Sequence, residues 1–170
     1  MLMKPWPILL MACATAGADA GGRPPIYIAV GLDYLDQESR TLTGDRAPHL
    51  ALGWSDNTPA LFGIPSIDLD WGHAAGNGNS IDTIGLCYCE RAQLTSTLYF
   101  GLGIGTFYNR VKLTDPYGAT SVSDGLRPGG RAMLGYLLSS TIFIEGTYFY
   151  SGTVAGVNTN AVAVCLGLWF

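Results

Sequence analysis

Apolar residues in this chain recur at every second position, in one stretch after another, and not at the third-or-fourth spacing of a helix. The pattern is plainest over residues 160–170. Val162, Val164, Leu166, Leu168 and Phe170 share one face, and Ala161, Ala163, Cys165, Gly167 and Trp169 share the other. A period of two is a strand. The unusual part is the second face, which is small and apolar where a soluble sheet would offer polar groups to water. The branched face is therefore expected to meet hydrocarbon.

The same alternation predicts strands over residues 26–35, 47–55, 65–72, 80–91, 95–108, 127–138 and 141–150 before the last one. Outward positions include Val30 and Leu32, Leu50 and Leu52, Ile67 and Leu69, Ile84 and Leu86, Leu102 and Ile104, Leu134, and Ile142 and Ile144. The opposite faces carry glycine, alanine and most of the charge. Connections at residues 36–46, 109–126 and 151–159 are long or polar, whereas 92–94 and 139–140 are tight turns. Residues 56–64 and 73–79 are intermediate, the second holding an Asn77-Gly78 turn signal. Pro48, Pro65 and Pro128 stand at strand starts, where no ladder donor is lost.

Outward aromatics come late in their strands. Because direction alternates, Tyr34, Trp71, Tyr108, Tyr148 and Tyr150 fall at one rim, and Trp54, Tyr88, Tyr136 and Phe170 at the other. Two girdles of amphipathic rings are what two membrane interfaces select.

Composition narrows the class. The chain has 170 residues, enough for one domain, and with 13% charged residues it is too apolar for disorder. A net charge of −4 gives no support to a nucleic-acid partner. Residues 1–20 read as a cleaved secretory signal: Lys4, an apolar core, and Ala18-Asp19-Ala20 ahead of Gly21. Lipoprotein processing at Cys13, in Leu10-Met11-Ala12-Cys13, is the competing reading. No later stretch has the roughly 20 apolar residues of a spanning helix. For an exported apolar chain that leaves the closed barrel. The expectation is an all-β, eight-stranded antiparallel up-and-down transmembrane β-barrel over residues 21–170, in the outer membrane of a bacterial cell.

The signal, the amphipathic strands and the ending Gly167-Leu168-Trp169-Phe170 resemble the small outer-membrane β-barrel proteins of the opacity-protein and OmpA/OmpX-type group. The basic residue usual near the end of that group is absent. The resemblance implies an outer-membrane location, and a C-terminal strand ending in Phe170 that is presented to the barrel-assembly machinery. It implies no catalytic residue.

Inward alternation collects Asp33, His49, Asp68, Asp70, Arg91, Arg131 and Glu145. Eight strands leave an interior just wide enough for side chains, so these groups are expected to form an internal polar network. A polar pore or an acid/base pair at Asp68 and Asp70 is the alternative. Gly101-x-Gly103-x-Gly105 lacks a following helix and Lys-Ser/Thr, and is read as a small interior face. Cys87, Cys89 and Cys165 face inward. Buried thiols are the favoured reading, with a disulfide or, less suitably, a metal as alternatives. Arg40, Arg46, Arg110, Lys112 and Arg127 fall on the long-loop side. There they either contact anionic lipopolysaccharide headgroups or simply solvate the loops.

No cofactor or metal is expected. Partners are outer-membrane lipids and lipopolysaccharide, and the chain is expected to be a monomer. The role that follows is structural, adhesive or surface-interacting, through residues 36–46 and 109–126. A narrow porin-like channel, a lipid A-modifying barrel enzyme using His49 or His73, and a soluble lipocalin-like barrel are the alternatives.

Overall fold

A computed structural model describes residues 25–56 and 58–170. Residues 1–20, expected from the sequence to be a signal, and with them Cys13, lie outside the described residues. Eight strands close into one antiparallel barrel: β1 (Ile26–Leu35), β2 (Arg46–Ser55), β3 (Ile64–Gly76), β4 (Asn79–Gln93), β5 (Leu98–Thr114), β6 (Thr120–Leu137), β7 (Ile142–Tyr150) and β10 (Ala161–Trp169). Sequence neighbours pair in turn, and β1 closes the ring on β10 from Tyr27↔Trp169 to Leu35↔Ala161. Closure satisfies the backbone without an edge in the belt. Among the described residues no helix is long and apolar enough to cross a membrane.

Through the belt the strands turn rows of branched aliphatic residues outward. Val164, Leu166, Leu52 and Leu69 are exposed, while Asp68, Asp70 and Glu145 are buried inside. A soluble lipocalin-type barrel has the opposite polarity, so that alternative is set aside.

The connections differ from expectation at the long-loop end. Residues 109–126 are not a loop. β5 continues to Thr114 and β6 begins at Thr120, paired from Tyr108↔Leu126 up to Thr114↔Thr120. Likewise β3 and β4 continue until only Asn77 and Gly78 remain between them, both with positive φ (52° and 78°), as a two-residue hairpin turn requires. Above the belt the outer face meets water, and along β6 from Thr120 to Arg127 every residue is exposed or half-buried, so the hydrophobic signal fades although pairing continues. Residues 36–46 hold a short helix, α1 (Gln37–Thr43), capped by the Asp36 carboxylate on the amides of Glu38 and Ser39. Residues 151–159 hold a small hairpin of β8 (Thr153–Val154) and β9 (Val157–Asn158).

Inside, aromatic rings lie against glycines of neighbouring strands. A Cβ at Gly53 would overlap the Tyr27 ring, one at Gly135 the Tyr99 ring, and one at Gly167 the Phe143 ring. Gly146, on the outer face, meets only Leu134 O at 3.9 Å. Gly53→Val is therefore expected to cost about 1–3 kcal/mol through overpacking, and Gly146→Ala to stay within measurement noise. Urea titration in detergent micelles, with the folded fraction read from heat-modifiable gel migration, compares the two.

Candidate functional site

The lumen is built in three storeys. At the end carrying the chain's C-terminus, Tyr27, Tyr99, Phe143 and Trp169 pack ring on ring, with Tyr27 and Trp169 centroids 4.7 Å apart and Tyr27 and Phe143 edge-on at 5.6 Å. At the opposite end, Leu35, Ala47, Ala74, Ile81, Val111 and Ala161 form an apolar layer. Val154 and Val157 of the small hairpin complete it from above, with Leu42 of α1 packed against it. Helix and hairpin are tied together: the Ser39 hydroxyl donates to Asn158 O, and Glu38 accepts from the Asn158 amide at 3.2 Å.

Between these layers the seven inward polar residues come together. Arg91 donates to Ser66 Oγ (2.6 Å), the Tyr27 hydroxyl (2.8 Å), Asp68 Oδ2 (3.1 Å) and Glu145 Oε2 (3.3 Å). Arg131 donates to Asp70 Oδ2 (2.8 Å) and Glu145 Oε1 (3.2 Å), and its Nη1 stands 3.2 Å from Asp68 Oδ2. Glu145 also accepts from Tyr99 (2.8 Å) and Thr147 (3.1 Å). The guanidinium groups lie over rings, Arg91 5.0 Å from Tyr27 and Arg131 5.1 Å from Phe149. Bidentate planar donors with several carboxylate partners are the arrangement that offsets burial of charge.

His49 joins the two remaining carboxylates. Nδ1 lies 3.1 and 3.2 Å from the Asp33 oxygens, and Nε2 3.4 Å from Asp70 Oδ1. Both ring nitrogens thus face carboxylate oxygens, Nδ1 at hydrogen-bond distance and Nε2 at ion-pair distance. Neither nitrogen is left to activate a hydroxyl. Above it lies a cavity of about 30 Å³, whose lining includes Asp33, His49, Asp70, Thr83 and Phe107. Cys87, Cys89 and Cys165 are buried free thiols in the same interior, and no group of three or more metal-ligating side chains is placed to hold a metal among the described residues.

Outside the lumen, all nine girdle residues are exposed on the outer face. Above Trp71 and Tyr108 the outer face carries a row of charge across four strands, His73↔Asp82↔Arg110↔Asp124. The His73–Asp82 contact is 2.6 Å, and the Tyr108 hydroxyl reaches Asp124 at 3.0 Å. Lys112 is one step higher on the same face as Arg110. Arg40 lies 3.7 Å from Asp45, and Arg46 stands over the Tyr34 ring at 5.8 Å. Arg127 differs from the others. It lies on the opposite face of β6 from Leu126, packs on Gly152 and donates to Thr153 O at 3.3 Å, so it holds the β8–β9 hairpin. Alternation alone missed the hydroxyls of Tyr27, Tyr99 and Ser66 as members of the network. Their inward parity is the sequence signal that places them there.

Arg131→Met would leave Asp68, Asp70 and Glu145 buried with one cation fewer, and the expected loss is about 3–5 kcal/mol. Adding Asp70→Asn should recover part of that loss. Equilibrium urea unfolding in lipid vesicles measures both, and a single variant as stable as the parent would contradict the network.

No protein-family model matches the sequence, and neither does any curated protein. Solved structures do match in fold. Ail, the attachment invasion locus protein of Yersinia pestis, superposes with a TM-score of 0.63 at 12% identity, over 88% of this chain and 99% of that one. Ail is also known in complex with the heparin analogue sucrose octasulfate (TM-score 0.59, 12% identity, 88% and 99% covered). The N-terminal β-barrel domain of Pseudomonas aeruginosa OprF gives 0.62 at 11% identity, over 88% and 98%. Neisserial surface protein A gives 0.55 at 15% identity, over 85% and 94%. The chain thus has the fold of the small eight-stranded outer-membrane barrels.

Proposed function

We propose that this protein is an exported outer-membrane barrel of a bacterial envelope whose role is surface attachment, performed by the sheet that rises above the belt. The observation that carries this reading is an open edge. β6 pairs with β5 along its whole length but meets β7 only from Gly130 onward. Residues 120–129 are therefore paired on one side only, about 33 Å of strand at roughly 3.3 Å per residue.

Such an edge is a template for an extended polypeptide segment, with main-chain hydrogen bonds giving affinity. Edges are ordinarily blunted by charge or proline. Here Asp124 and Pro128 are the blunting residues, and Thr120, Ser121, Val122 and Ser123 leave the upper part open. The fold shared with an attachment protein supports the same direction. The aromatic and apolar layers at the two ends of the lumen weigh against the channel alternative, and the engaged nitrogens of His49 weigh against the enzyme. Outward Arg110 and Lys112 stand above Tyr108, where lipopolysaccharide headgroups would lie, and in this reading they contact those headgroups. Arg127 is left out of that set.

Replacing residues 112–122 by a two-residue Asn-Gly turn from Val111 to Ser123 shortens the edge but keeps the belt. Bacteria expressing this variant are expected to adhere to host-cell monolayers about as poorly as cells without the protein, with heat-modifiable migration intact. Full adhesion by the shortened form would sink the edge reading, and conductance steps of the parent protein in planar bilayers would favour the channel.

A further inference from the structure

One charged residue sits on the wrong face. Glu90 shares its outward parity with Leu86 and Tyr88, and its register partners Pro65 and Leu102 also face out. Yet it is only 2% exposed. What covers it is the connection between β2 and β3, which folds back against the outside of the barrel. Glu90 Oε2 accepts the amides of Phe62 (2.8 Å) and Gly63 (3.3 Å), and Oε1 accepts the Tyr88 hydroxyl (2.9 Å).

The turn is held in other ways too. Ala60 N donates to Gly63 O at 2.9 Å, and Asp56 accepts from the amide and hydroxyl of Thr58. A Cβ at Gly63 would run into the backbone of Arg91 and Ala92, so this glycine is what lets the turn lie so close.

The consequence is an apolar knuckle. With the polar backbone turned in to Glu90, Leu61 is 91% exposed and Phe62 48% exposed. Between knuckle and wall runs a groove of about 270 Å³ lined by Leu61, Phe62, Tyr88, Glu90, Leu102, Gly103 and Ile104. It opens onto outward Leu102 and Ile104, the latter paired with outward Tyr88, and beyond them Leu86 of β4 carries the apolar surface into the belt beside Thr106.

We infer that this knuckle is a lipid anchor. Leu61 and Phe62 sit in the periplasmic leaflet of the outer membrane, a phospholipid acyl chain fills the groove, and Glu90 is the clasp that holds the turn there. The inference rests on the membrane reading above. Continuity with the belt argues for lipid as the occupant. A carboxylate at the hydrocarbon boundary is tolerable only when its oxygens are hydrogen-bonded, and the turn's amides supply those bonds. Apolar side chains at the tip then add burial to the aromatic girdle at Trp54, Tyr88 and Tyr136.

The test uses the full mature chain in vesicles of phosphatidylethanolamine and phosphatidylglycerol. Leu61→Cys is labelled with bimane after folding, when Cys87, Cys89 and Cys165 are buried, and the unsubstituted protein gives the labelling background. Val164→Cys in the belt is the control. The expected result is blue-shifted emission at both positions, quenching by lipids carrying a nitroxide high on the acyl chain, and protection from iodide. Adding Glu90→Ala should return position 61 to water-like emission and iodide access, whereas Glu90→Gln, which still accepts from the amides, should not.

Water-like emission at 61 with lipid quenching at 164 would overturn the anchor and leave the membrane reading standing. Water-like emission at both would take the membrane reading down with it. Iodide protection at 61 without lipid quenching would mean that protein, such as a second copy of this chain, covers the groove. An unchanged signal in the Glu90→Ala background would remove the clasp.

Discussion

Two guanidinium groups, those of Arg91 and Arg131, stand inside a barrel too narrow to hydrate them, and much of the interior is arranged around that fact. Four carboxylates, Asp33, Asp68, Asp70 and Glu145, share the space with these two arginines and His49, and all of them are buried. Burying such groups singly would cost far more than folding can supply. As a cluster they pair with one another, and the two arginines also tie together strands that share no backbone pairing, β4 to β1 and β7, and β6 to β3. Arg91 of β4 reaches β1, β3 and β7, and Arg131 of β6 reaches β3 and β7.

Space for long side chains has to come from somewhere in a ring of eight strands. It comes from residues with little or no side chain facing the same lumen. Gly103 lies against Cys89 Sγ and the Arg131 stem, and Gly53 and Gly135 lie under the tyrosine rings that hydrogen-bond the charges. The glycine run at 101, 103 and 105 that looks like a phosphate loop in the sequence is thus the wall opposite the bulky residues of β4 and β6.

Where one face meets lipid and the other a packed lumen, the amino-acid pattern carries the structure plainly. β1 spans the ten residues that alternation assigned to it, Ile26–Leu35, and the inward polar residues could be read off by parity. Legibility ends at the upper rim. From Asn109 to Thr114 the outer face meets water while Asn109 and Val111 stay buried, and from Thr120 to Arg127 both faces are open, so period two no longer separates a lipid face from a lumen face. The short helix announced itself only through its Asp36 cap, and β8 and β9 are too short to show any period. Glu90 was a different kind of miss. Its outward parity among Leu86, Tyr88 and Leu102 was visible, but its meaning depends on a turn nearly thirty residues earlier.

The barrel is lopsided, and this bears on what it can do. β4, β5 and β6 run to 15, 17 and 18 residues, whereas β1, β7 and β10 have 10, 9 and 9. A tilted strand needs about 9–11 residues to cross, so the second group only spans, and the first spans and then rises as a wall. On the low side, α1 and the β8–β9 hairpin fold inward over the mouth, and Arg127 from the wall reaches across to hold the hairpin. The lumen is thereby filled by aromatic rings at one end, charge in the middle and aliphatic residues at the other. Transit would require displacing one of these layers, and the middle one is a set of mutually dependent ion pairs whose removal destabilises the fold. Contact at the wall would require no such change: the strand at its edge, paired on one side only, is already extended, already outside the belt, and anchored by everything beneath it.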